Sequence, residues 1–232
     1  MPVRRLDPIR DESGFTLIEL LVGTAAGLLV TMALVTVLFT SMHETARVTS
    51  RVDATQRARI VLYKMVDELH SACVAPQIAP VRKESTGTSL SFIHQTGSAV
   101  APTPILSTVS LSGTTLSQSD YASTGGTVPN WTFASTPSAT RQLMTRISPP
   151  TPGGSIFTYY AYLNGDVSAT PLTTPLSAPD AARAVQVGIG LTAAPGQNGA
   201  RDANAPATIQ NNVLLRFTPA TFNTAATNLP CQ

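Results

Sequence analysis

Residues 15–39 read FTLIELLVGTAAGLLVTMALVTVLF, and their reading decides the fold. Every side chain in the run is apolar or small except Glu19. As a helix rising 1.5 Å per residue it spans about 37 Å, more than the ~30 Å hydrocarbon core of a bilayer, so it can cross with some tilt. A helix lying on a soluble core would carry a polar stripe, which this one lacks. A secretory signal peptide wants an apolar run of about 7–15 residues closed by a small-residue cleavage site. This run is too long and no such site closes it. A plain membrane anchor accounts for the length but leaves Glu19 unexplained. A carboxylate near the centre of a spanning helix costs about 2.5–3.5 kcal/mol, less toward the interface, and such a group normally has a partner.

The residues just before the run supply a third reading. Gly14-Phe15-Thr16-Leu17-Ile18-Glu19 resembles the prepilin peptidase site of type IV pilins and type II secretion pseudopilins. The resemblance implies cleavage between Gly14 and Phe15, methylation of the new Phe15 amine, and pairing of the Glu19 carboxylate with the amino terminus of a neighbouring subunit. An opposite charge nearby would offset the cost of a carboxylate in lipid. The leader, MPVRRLDPIRDESG, departs from the family's usually basic pattern, because Arg4, Arg5 and Arg10 are balanced by Asp7, Asp11 and Glu12. Acidic residues count little in the positive-inside rule, so the arginines still favour a cytoplasmic leader. Gly23 and Gly27 form a G-x-x-x-G within the run. It admits two readings: close helix–helix approach, or local softness, since each Gly weakens a helix by about 1 kcal/mol relative to Ala.

From Ser41 the composition turns polar with no turn signal before Pro76. Val48, Val52, Thr55, Leu62, Val66, Leu69 and Cys73 recur at spacings near three and four, which predicts an amphipathic helix with these residues on its packed face. Arg47, Arg51, Arg57, Lys64 and Glu68 are expected on the opposite face, and Pro76 and Pro80 end the helix. Residues 15–74 thus read as one helix about 90 Å long.

Beyond Pro80 the signals are for strands and turns. Polar–apolar alternation marks 88–93, and further strands are expected at 106–111, 141–147, 156–163, 185–191 and 213–217. Ser177-Ala-Pro-Asp180 predicts the cap and first turn of a short helix. The Gly-, Ser-, Thr-, Asn- and Pro-rich stretches 113–139 and 194–210 read as surface loops. Trp131 and Phe133, inside the first, are expected to cover the core, and the Asn130-Trp131-Thr132 sequon reads as coincidental. The expected fold class is α+β: a long N-terminal helix, transmembrane then amphipathic, packed on an antiparallel sheet. The expected organisation is a removed leader at 1–14, a transmembrane and assembly helix at 15–40, its amphipathic continuation at 41–75, and an extracytoplasmic β-rich body at 76–232.

Charged residues make up only 12% of the 232, and the net charge of +2 with scattered Lys and Arg shows no clustered basic face for nucleic acid. The two cysteines, Cys73 and Cys231, have no metal-like spacing. A disulfide between them is permitted if the body lies outside the cytoplasm; the competing reading is two separate thiols. Of the three histidines, His43, His70 and His94, His70 shares a helix face with Cys73 and Asp67, but no metal-ligand set converges. The chain contains no HExxH, GxSxG, Walker or GxGxxG motif, so no enzymatic activity, metal or cofactor is expected.

The order Ile156–Tyr160, Leu172–Pro175, Ala184–Leu191 and Val213–Arg216 is similar to that of PilW-type minor pilins and J-type minor pseudopilins, with Phe217 where the former often carry Asn. This implies a structural subunit that helps initiate a type IV pilus or related fibre, with its body at the tip or along the fibre. Its expected partners are other pilins, the prepilin peptidase, the inner-membrane assembly platform and membrane lipid, with no nucleic acid outside a DNA-uptake system. The expected location is the cytoplasmic membrane before assembly, with the body outside the cytoplasm, then a surface pilus or periplasmic pseudopilus. The alternative is an adhesin or DNA-uptake receptor delivered on a pilin helix.

Overall fold

The structure, a computed structural model, describes residues 14–73, 79–98, 101–127, 130–163, 165–195 and 206–215. The chain divides into two units, Met1–Val48 and Thr49–Gln232. Helix α1 runs through Leu17–His70. In the first unit its described side chains are exposed throughout, and by length and composition it is a candidate membrane span. Threonine is a poor guest in such a segment unless its hydroxyl is satisfied, because lipid offers no hydrogen bonds. Thr24, Thr31, Thr36 and Thr40 each donate to a backbone carbonyl three or four residues back, at 2.7–3.0 Å.

In the second unit, α1 buries Ala54, Ala58, Val61, Leu62, Met65 and Leu69. This stripe corrects the expected one. Leu62 and Leu69 hold their places, but Val48 and Val52 are 60% and 48% exposed, and Thr55 and Val66 are half-buried. The true stripe is rotated toward small alanines, whose short side chains permit close approach to the sheets. Glu68, expected in solvent, is turned inward. The helix ends at His70, where Ser71 N–H donates to the carbonyls of Asp67 and Glu68. Pro76, expected to stop it, lies outside the described residues.

Two five-stranded antiparallel sheets replace the single expected one. The first comprises β1 (Ser89–Ser98), β2 (Ala101–Ser112), β3 (Thr115–Thr127), β4 (Asn130–Phe133) and β5 (Ala139–Thr145), with β3 pairing β2, β4 and β5. The expected loop at 113–139 is therefore mostly strand. The second comprises β6 (Ile147–Ser148), β7 (Phe157–Leu163), β8 (Asp166–Val167), β9 (Ala184–Ala193) and β10 (Ala207–Leu214), in order β10-β9-β7-β8 with β6 beside β9. Thr208 pairs Thr192, so the expected loop at 194–210 is strand at its far end. Helix α2 (Ala178–Arg183) starts as expected, on the Ser177 cap, whose hydroxyl accepts from Asp180 N–H.

The chain changes sheets between β5 and β6 at Arg146, which adopts φ 61°. Such a conformation is uncommon for a non-glycine residue, and here both ends of the side chain and backbone are tied. Arg146 Nη1 donates to the Pro195 carbonyl, and its own carbonyl accepts from Ala194 N–H. A second seam lies at Gly87, whose carbonyl accepts from both Ile156 and Phe157 N–H. A Cβ on Gly87 would sit 2.8 Å from Ser155 Cβ, so any larger residue would force the seam to shift. Tyr159 on β7 is fully buried and donates to the Thr86 carbonyl at 3.0 Å, with the Ser89 carbonyl 3.3 Å away. One apolar core joins α1, the inner faces of both sheets and Ala181 of α2. The fold is α+β, with a long apolar N-terminal helix whose later turns pack on antiparallel sheet.

Candidate functional site

Two places carry chemistry: the start of α1, and a polar seam between the end of α1 and the first sheet. At the start, Gly14 and Phe15 precede the helix and are exposed, Phe15 at 87%. Thr16 and Glu19 then form a reciprocal capping box. Thr16 N–H and Oγ1 donate to Glu19 Oε2 at 3.1 and 2.9 Å, and Glu19 N–H lies 3.3 Å from Thr16 Oγ1. A Thr three residues before a Glu is the sequence signature of such a box, which satisfies amide donors that a helix start otherwise leaves orphaned. Glu19 therefore has an intramolecular role. Oε1 takes part in none of these bonds. Gly23 and Gly27 lie on an open face, with nothing within 4 Å of a built Cβ. Another backbone could approach closely there.

Cys73 follows α1, is fully buried and is disulfide-bonded. Cys231, the chain's other cysteine, lies outside the described residues. Cys73 sits with Ile93 and the partly buried Leu106 and Phe133 in a small apolar cluster of its own. Phe133 thus covers apolar surface as expected. Trp131 is half-buried, and its Nε1 is buried without a partner among the described residues. His70 and Asp67 are exposed while Cys73 is buried, and no group of three or more metal-ligating side chains forms among the described residues.

The polar seam was not legible in the sequence. Strand register places Gln118 opposite Arg141 and Asp120 opposite Ser107, and the inner face of the sheet turns them toward Glu68 on α1. Gln118 Nε2 donates to Glu68 Oε2 at 2.7 Å and to Asp120 Oδ1 at 2.9 Å. Arg141 Nη2 donates to Glu68 Oε1 at 2.8 Å and lies 3.5 Å from Asp120 Oδ2. Ser107 Oγ donates to Asp120 Oδ1 at 2.6 Å, and its oxygen lies 2.9 Å from His94 Nε2. Because the Ser107 proton goes to Asp120, His94 Nε2 must carry the other proton and donate to Ser107, which sets the neutral tautomer. The serine lies between histidine and carboxylate and gives its proton to the carboxylate, so the array is no nucleophile triad.

Burial shapes both titrations. Desolvation pushes the Glu68 carboxyl above its ordinary value, aided by Asp120 and opposed by Gln118, Arg141 and Lys64. Desolvation pushes His94 down, opposed by Asp120 and aided by Arg141. The one advance signal was the polar pair Gln118 and Asp120 two apart, a spacing that puts both on the same face of a strand. The sequence matches no known family model and no curated protein.

Proposed function

We propose that this chain is a minor pilin or pseudopilin, a structural subunit cut after Gly14 and built into a type IV pilus-like fibre through its apolar helix. The observation that carries the reading is the junction itself. Gly14-Phe15 stands directly ahead of a helix whose apolar side chains are exposed from Leu17 to Phe39, with one carboxylate, Glu19, in its first turn. A surface of that kind needs lipid or other helices around it. Cleavage would leave Phe15 as the new amino terminus, a charge for a neighbour's Glu19 to pair with. The disulfide at Cys73 supports a body outside the cytoplasm. The β-rich body would sit at or near the fibre tip and help initiate assembly with other pilins and the inner-membrane platform.

The test is Gly14→Val in a host that carries a prepilin peptidase. The parent chain is expected to lose residues 1–14 and to begin at a methylated Phe15 by intact-protein mass, while the variant keeps its leader. A parent chain that keeps residues 1–14, or a variant that loses them as the parent does, refutes the proposal.

A further inference from the structure

The second sheet turns one face to the core and the other away from it. Val187, Ile189 and Leu191 of β9 lie in the core, so Gln186 and Gly188 between and beside them point outward. Their register partners point the same way: Tyr160 and Thr158 on β7, and Asn212 on β10. Water-facing edge strands are ordinarily blunted by charged side chains, lysine above all, because an uncharged edge invites pairing. β10 is an edge strand among the described residues, yet β7, β9 and β10 contain no charged side chain between them.

The outward face carries aromatic rings in place of charge. Tyr162 is 47% exposed, and its hydroxyl donates to the Gly165 carbonyl at 2.7 Å, which holds the ring in place. A ring fixed in advance loses little freedom when something stacks on it. Tyr160 precedes it by two residues on the same face, about 6.8 Å along the strand. Gly188 brings the surroundings of Tyr160 together: a Cβ there would sit 3.0 Å from Asn212 Oδ1 and 3.4 Å from Tyr160 Cε2. The absent side chain thus lets a ring and an amide meet over β9, with the Thr158 hydroxyl at the same point.

These groups select a ligand class by complementarity. An ionic partner would lose its hydration with no opposite charge in the three strands to replace it. A purely apolar partner would cover the Asn212 amide and the Thr158 hydroxyl without satisfying them. A pyranose is uncharged, has a C–H face that lies against an aromatic ring, and carries hydroxyls at its edge for amides and hydroxyls to meet. We propose that the outer face of the second sheet binds a neutral saccharide chain, with successive sugar rings on Tyr160 and Tyr162 and hydrogen bonds from Asn212 and Thr158. The site goes beyond the structural role proposed above and does not depend on the N-terminal helix or on a fibre.

The test uses the full-length chain in a zwitterionic detergent, which has no sugar head group to compete, with ¹³C-labelled tyrosine. Cellohexaose, maltohexaose and chitohexaose are titrated separately, with hexagalacturonate as the charged control. The Tyr160 and Tyr162 ring resonances are expected to move with at least one neutral hexasaccharide, at a Kd of about 1 mM or tighter, while Tyr63 and Tyr121 stay fixed. Tyr162→Ala, at an exposed position, is expected to weaken binding about tenfold by the Tyr160 signal. Tyr162→Phe keeps the ring and is expected to stay within about threefold of the parent. The proposal is overturned if all three neutral probes leave both rings unmoved at about 10 mM, if hexagalacturonate moves them equally, or if Tyr162→Ala binds as the parent does. It is also overturned if the rings shift with protein concentration alone, which would make the face a contact between copies of the chain.

Discussion

Replacing Arg141 with Met leaves the length of the side chain and removes its charge. Arg141 is the only cation within salt-bridge distance of Glu68 and Asp120 among the described residues, and those carboxylates are 14% and 15% exposed. Breaking a fully buried pair costs about 3–5 kcal/mol, whereas an exposed pair contributes about 0–1 kcal/mol. The guanidinium is 41% exposed, so water screens part of its charge. The loss should fall between the limits, at about 2 kcal/mol. For a body of this size that lowers Tm by about 4–8 °C. The loss should also depend on pH with a definite sign. Burial already raises the Glu68 carboxyl, so native Glu68 holds its proton to a higher pH than the unfolded chain does. Such a group weakens the fold as pH rises through the window from its ordinary value to its raised one. Without Arg141 the window extends further up, and the deficit of the variant grows between pH 5 and pH 8. Urea unfolding of the detergent-solubilised chain, followed by near-ultraviolet circular dichroism at both pH values, measures this. A deficit below about 0.5 kcal/mol at pH 8, the size of a neutral surface change, would refute the reasoning, as would one equal at the two pH values.

Gly87→Ala places a Cβ against Ser155 at the seam between the sheets and should cost about 1–3 kcal/mol in the same unfolding assay; adding Ser155→Gly should recover part of it. Tyr159→Phe removes a donor from the Thr86 carbonyl within the core and should cost about 1–2 kcal/mol without altering the far-ultraviolet spectrum. His94 carries a lowered pKa, so its contribution is complete above the ordinary value near 6.5 and is lost as pH falls toward the lowered one. Stability measured from pH 7.5 down to 5 should therefore fall less steeply in His94→Gln than in the parent chain.

Some of this protein is determined by sequence alone. The run at 15–39 specifies an exposed apolar helix, because no placement of its residues yields a polar face for water. The Thr16–Glu19 spacing specifies the box that opens it, since a capping box depends only on residues three apart. Alternation of polar and apolar residues located β1, β7 and β9 for the same local reason. Tertiary structure decided the rest, where two local solutions are equally good. The later turns of α1 carry apolar residues on more than one arc, and the surface presented by two sheets selects Ala54, Ala58 and Met65 over Val48 and Val52. β3 carries Ser117, Gln118, Ser119 and Asp120 in succession, a loop-like string that becomes strand only because β2 and β5 supply partners on both sides. Gln118 and Asp120 point inward there, and a helix 50 residues away from Gln118 supplies the carboxylate that meets it. A polar group can be buried only where distant chain satisfies it. Sequence pattern reports which faces are apolar; pairing across the fold decides which polar residues share a site.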